Sequence, residues 1–173
     1  REAETMPRKL VWTEGLIITQ HLFQQLDRYN ESNLAERLRA VVPFDWGIAD
    51  LEIDERALTA GQFKINRLSA ILPDGTYVSF EGDGLPARAI EAALGAHGRS
   101  FDVWVALAQE NDGLPNVELE NKPGAHSRWT RMQQAVPDIN TGGGEQQVGF
   151  ARPNLRILFG DERRDAFDTI RVA

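Results

Sequence analysis

Cysteine is absent from this chain of 173 residues. That absence excludes disulfides, thiolate catalysis and every zinc site built on sulfur. Histidine is scarce: His21, His97 and His126 are scattered, none with a carboxylate or a second histidine at ligand spacing. They nominate no metal centre, cofactor or catalytic group. Long apolar runs are also missing. None approaches the ~20 residues that span a bilayer, and Leu16-Ile17-Ile18 is too short for the core of a signal peptide, so the expected location is the cytoplasm. Positive charge is in the minority, with 19 Lys and Arg against 26 Asp and Glu and a net charge of −7. Nucleic acid is therefore a disfavoured partner, because such affinity comes largely from cations neutralising phosphates. Arg8-Lys9 and Arg163-Arg164 are pairs and not patches, and Asp161, Glu162 and Asp165 offset the second.

A hydrophobic content of 42% with 26% charged residues is ordinary for a folded protein. A chain of this length buries roughly 70% of its unfolded surface, enough for one core, and one domain is the expectation. Arg1 to Thr5 lie ahead of Met6-Pro7-Arg8-Lys9, which reads as a natural start, so the first five residues are taken as vector-derived.

From Thr19 onward Leu22, Phe23, Leu26, Tyr29, Leu34, Leu38 and Val41 recur at helical intervals. The pattern predicts one helix over residues 20–40, capped by the Thr19 hydroxyl and ended by Pro43. Asn30, Ser32 and Asn33 weaken its middle turn and mark a place for a break. Beyond Pro43 the texture changes to eight short runs divided by turn residues: 46–53, 63–72, 76–80, 101–108, 128–136, 146–152, 155–159 and 169–172. With few helices between them, these predict a mainly β chain, an antiparallel β-sandwich over 44–173 preceded by the helix. Leu72-Pro73-Asp74-Gly75-Thr76 reads as a tight hairpin turn. Residues 81–100, with a short helix at 87–94, residues 111–127 and residues 140–144 read as loops. Trp104 and Trp129 fall within strand patterns and are assigned to core or inter-sheet packing.

Three patterns resemble chemistry and fail on context. Gly82-Asp83-Gly84-Leu85-Pro86-Ala87 with Asp102 has the form of a dinucleotide fingerprint, but Pro86 interrupts the helix entry and the crossover helices of a parallel sheet are missing. Asp50, Glu52 and Asp54 alternate like a calcium loop, yet the position that needs glycine holds Glu55. A solvated strand face is the reading adopted for them. Gly142-Gly143-Gly144 lacks the lysine and hydroxyl residue of a phosphate loop.

The N-terminal stretch remains. Phe23, Leu26 and Tyr29 are expected to pack in part on the sandwich, whereas Trp12 and Leu16 sit in a glycine-containing segment with no evident means of burial, as in a segment that orders against a partner. Val11-Trp12-Thr13-Glu14-Gly15, followed by Phe23-Gln24-Gln25-Leu26-Asp27-Arg28-Tyr29, resembles the N-terminal signature of the TssK family (ImpJ/VasE), trimeric baseplate adaptors of bacterial type VI secretion systems. Leu26 departs from the third glutamine of that signature, and Thr19-Gln20-His21-Leu22 sets the histidine two positions ahead of Phe23 instead of one. His21 is given no role. Further matches are Trp46-Gly47 with Leu51-Glu52-Ile53-Asp54, Gly61-x-Phe63, Leu72 to Thr76, Leu85-Pro86 and Leu155-Arg156-Ile157.

The resemblance implies a shoulder domain over residues 19–173, similar to the shoulder of siphophage receptor-binding proteins, behind a flexible arm over residues 1–18. It further implies that the neck and head of the longer family members lie outside this chain. The implied function is non-enzymatic assembly without a cofactor: docking onto the baseplate wedge of TssF and TssG, trimerisation, and a link to the membrane complex through the head. The residues assigned to partner binding are Val11, Trp12, Glu14, Gly15, Leu16, Gln20, Phe23 and Gln24. The second reading is a glycan-binding module of phage receptor-binding type, against which count the missing head and the two tyrosines.

Overall fold

Fifteen buried apolar side chains, drawn from Phe63 through Ile170, form one continuous core, and the strands that supply them define the architecture. The computed structural model describes residues 7–97, 100–120, 122 and 126–173. In chain order these form α1 (Gln20–Val41), β1 (Gly47–Ile53), α2 (Glu55–Thr59), β2 (Gln62–Phe63), β3 (Ile65–Ile71), β4 (Tyr77–Glu81), β5 (Arg88–Ala89), α3 (Glu91–His97), β6 (Val103–Ala108), β7 (Val117–Glu118), β8 (Trp129–Val136), β9 (Gln146–Pro153), β10 (Arg156–Phe159) and β11 (Phe167–Arg171). One antiparallel sheet runs β1-β3-β4 and a second β10-β6-β11. Leu68, Ala70 and Val78 of the first share the core with Val103, Val105, Leu107, Ile157 and Ile170 of the second. The expected mainly β architecture with one leading helix is present.

Side-chain alternation explains which residues reach that core. In β3, Leu68 and Ala70 are buried while Arg67 is exposed. On the outer face Arg67 bonds Asp50 at 2.6 Å and Glu52 at 3.2 Å, so an arginine fills the space between the two alternating acids. Asp54 leaves that face: its carboxylate accepts from the backbone N–H groups of Arg56 and Ala57 and starts α2. These bonds hold its pKa below the usual aspartate value.

The turn from Leu72 to Thr76 joins β3 to β4 as expected, with Leu72 N–H donating to Thr76 at 2.9 Å and Gly75 N–H to Leu72 at 2.8 Å. Gly75 has φ of +95°, and a Cβ there would stand 2.8 Å from Cβ of Ala35 on α1. Only glycine lets the helix lie this close to the turn.

Several local expectations are corrected. The helix runs unbroken through Asn30 to Asn33, because Ser32 and Asn33 are half-buried against the remainder of the chain. Thr19 occupies the N-cap but its hydroxyl makes no capping bond. Val42 is extended ahead of Pro43, as the stop requires. The run 63–72 divides at Lys64 into β2 and β3. The helix expected at 87–94 starts at Glu91, since Arg88 and Ala89 pair with Phe63 and Gln62. Helix α2 was unforeseen, as was β7, whose pairing with β8 is parallel.

Trp104 and Trp129 are both half-buried and outside the core. On β6 the core side belongs to Val103, Val105 and Leu107, so alternation turns Trp104 outward, where the Arg164 guanidinium covers its ring at 4.2 Å. Trp129 stands at the root of the β8–β9 hairpin with the Arg128 guanidinium 5.7 Å from its ring centre.

Candidate attachment site

The arm enters from Pro7 with no regular structure until Gln20, apart from one turn at Glu14–Gly15 in which Leu16 N–H donates to the Thr13 carbonyl at 3.3 Å. Gly15 takes φ of +78°, the conformation that lets the chain reverse there. Every residue from Val11 to Gln20 is exposed. Trp12 leaves 53% of its surface in solvent, Ile17 80% and Phe23 53%. Isolated apolar residues on a surface are commonplace, whereas contiguous exposed apolar patches recur at interaction sites.

The structure places Val11, Trp12, Glu14, Gly15 and Leu16 together on the arm, with Gln20, Phe23 and Gln24 exposed on the first two turns of α1. Ile17 and Ile18 extend the same apolar run and are more exposed than Leu16. The partner-binding expectation named Leu16 but not these two.

No residue of α1 is fully buried, and polar contacts tie the helix to the sandwich. Arg28 reaches Asp112 at 3.0 Å and Glu110 at 3.5 Å. Arg39 donates to the Pro73 carbonyl at 2.9 Å and pairs with Asp45 at 3.2 Å and Glu36 at 2.7 Å. The turn that receives the helix is itself held by a buried arginine. The Arg128 guanidinium donates to the Ala108 carbonyl at 2.7 Å, to Asp168 at 3.0 Å, to the Thr76 hydroxyl at 2.6 Å and to Asp74. Four stretches of chain, namely the β3–β4 turn, the end of β6, the root of β8 and β11, thereby meet at one side chain.

Burial raises the pKa of Asp168, with the Asp74 charge adding to the rise, while bonds from Arg128 work against both. Glu31 on α1 is also raised, chiefly by desolvation and then by the charges of Asp27 and Glu110. These groups position the helix, and the helix positions the arm. Sequence reasoning missed Arg128 because its side-chain partners lie 40, 52 and 54 residues away.

Among the described residues no group of three or more His, Asp or Glu gathers to hold a metal ion. Among the described residues no helix is long and apolar enough to cross a membrane. A sequence model of the family described as bacterial type VI secretion, VC_A0110, EvfL, ImpJ, VasE matches residues 22–173.

This chain belongs to the TssK family.

One TssK relative is the type VI secretion system baseplate component TssK1 of Pseudomonas aeruginosa PAO1, 36% identical over 75 residues that make up 43% of this chain and 17% of the relative. A TssK crystal structure superposes with a TM-score of 0.86 at 28% identity, covering 96% of this chain and 38% of that one. The TssK chain of a TssK–TssF–TssG baseplate subcomplex superposes at 0.82 with 21% identity, over 96% of this chain and 55% of that one, a likeness of fold. The chain thus spans less than two thirds of each of these TssK proteins. The family match begins at Leu22, so the arm and the first two residues of α1 lie ahead of it.

Proposed function

We propose that this chain is the attachment domain of a type VI secretion baseplate component, a non-enzymatic module that binds wedge proteins of the TssF and TssG kind through its N-terminal arm. The observation that carries the reading is the unbroken exposure of Val11 to Gln20, with Trp12, Ile17, Ile18 and Phe23 in solvent, on a chain whose family is that of a baseplate component. A solved relative stands in a subcomplex with TssF and TssG, which supports those two as partners.

Val11, Trp12 and Leu16 supply the apolar contact and Glu14, Gln20 and Gln24 the polar rim, while Gly15 sets the bend between them. Ordering an exposed arm costs conformational entropy, and burying Trp12 offsets it. A homotrimer, the oligomer implied by the family, presents three such arms, so a modest single contact becomes firm attachment through effective concentration. The cytoplasm is the compartment this reading requires, and the membrane complex is reached through the head of the longer family members.

The test is capture of a purified TssF–TssG complex by the wild-type chain and by a variant lacking residues 1–16. Loss of capture with an unchanged melting temperature supports the reading. Retained capture refutes it, and a large fall in melting temperature returns the arm to a structural role.

A further inference from the structure

Beyond the arm, the two ends of the β8–β9 hairpin differ in chemistry. Strand β7 pairs only with Trp129 and Thr130 at the root, and past its end a groove opens along the edge of β8, lined in part by Leu119, Lys122, Arg131, Met132 and Arg152. Arg131 lies opposite Ala151 and Arg152 opposite Thr130, so alternation sets the two arginines on opposite faces of the ribbon, one to each side of the groove. Neither makes an ion pair among the described residues, whereas Lys122 is taken up by Glu120 at 2.8 Å. Leu119 and Met132, both exposed, add apolar surface. The tip carries the opposite charge. Ile139 leaves 93% of its surface in solvent there, on a loop that also holds Asp138 and Glu145. The Asp138 carboxylate accepts from the backbone N–H groups of Asn140 at 2.7 Å and Thr141 at 3.2 Å, and Asp138 N–H donates to the Gly143 carbonyl at 2.8 Å. The loop is thus already ordered, and little conformational entropy is left to lose when Ile139 is covered.

We propose that this tip docks head to tail in the groove of a second copy of the chain, with Ile139 against Leu119 and Met132 and the tip carboxylates toward Arg131 and Arg152. Charge complementarity between acidic tip and basic groove selects the occupant. The tip does not reach its own groove, because β8 and β9 form one unshifted ladder from Arg131 to Val136, which carries the tip about 17 Å beyond it. A head-to-tail contact joins unlike surfaces, so any pair of copies leaves one tip and one groove open, and every contact is satisfied only in a ring. The number of copies in that ring, three, rests on the homotrimer of the attachment reading. The contact itself uses no residue of the arm.

Sedimentation velocity over a concentration series tests the docking. The wild-type chain is expected to move from monomer toward trimer. Ile139→Asp removes the apolar contact, while Glu145→Arg and Arg152→Glu each set like charges across it, and each variant should lower the apparent association constant by about ten-fold or more. Glu145→Arg combined with Arg152→Glu restores opposite charges with their places exchanged, and association should recover. Circular dichroism and melting temperature should match throughout, because all three positions are exposed. A variant lacking residues 1–16 should associate like the wild type, which separates this contact from wedge capture by the arm. A wild-type chain that stays monomeric or stops at a dimer, single variants that associate as the wild type does, or a charge-exchanged variant that fails to recover overturns the proposal and leaves the capture test of the arm standing.

Discussion

Replacing Arg128 by leucine keeps much of the side-chain volume and deletes the guanidinium, which isolates what its charge does. In the wild-type chain that group is only 6% exposed in its side chain, and its partners Asp74 and Asp168 are 28% and 16% exposed. Without it, two carboxylates face each other in a poorly solvated site and the Ala108 carbonyl loses a donor. Breaking a buried pair by removing one member costs about 3–5 kcal/mol. Because Asp74 retains some access to water, the expectation is at the lower end, about 3 kcal/mol, against a total stability on the order of 5–15 kcal/mol for a domain. The variant should therefore fold, with a lower urea midpoint. The pH dependence separates charge from packing. Asp168 already has a raised pKa, so its protonated form is favoured by folding; that contribution is present below the ordinary aspartate pKa of 3.8 and is lost as pH rises through the higher folded value. Removing Arg128 raises the folded value further, because a cation opposing the Asp74 charge is gone. The stability gap between variant and wild type should hence be widest near neutral pH and narrow toward pH 4. Urea titrations at several pH values measure it. A gap that stays constant with pH would mean that the loss comes from packing and that the buried charges are not what the arginine holds together.

Trp12→Ala should weaken binding to a TssF–TssG complex by about 2 kcal/mol in calorimetry, the scale of an interfacial tryptophan, while leaving the melting temperature unchanged. Trp104→Ala should cost about 1–2 kcal/mol in urea titration, less than the 3–5 of a core tryptophan, because its ring packs under Arg164 outside the core. Gly75→Ala should destabilise by about 1–3 kcal/mol, through a positive φ and the contact with Ala35, and a second substitution of Ala35 by glycine should recover the steric part. Glu31→Gln should raise the melting temperature at pH 7: the raised pKa means that ionised Glu31 opposes folding, so the gain should fade as pH falls through the raised folded value and be gone below the ordinary glutamate value.

The helix and most strands were legible in the sequence because each rests on short-range physics: helical spacing from Leu22 to Val41, the proline stop at Pro43, and the proline–aspartate–glycine turn at Leu72 to Thr76. The exposed arm was legible for the same reason, since Trp12 and Leu16 stand beside Gly15 in a segment with no periodicity to bury them. Tertiary structure alone decided the remainder. Period-two alternation states that Trp104 and Val105 face opposite ways, but only the packing of two sheets reveals which side is the core. Asp50, Glu52 and Asp54 read as one acidic row until β3 brought Arg67 beside two of them and α2 took the third. Arg128 looked like the first residue of a strand, and its role exists only because turns far away in sequence converge on it in a site too dry to leave a charge unpaired.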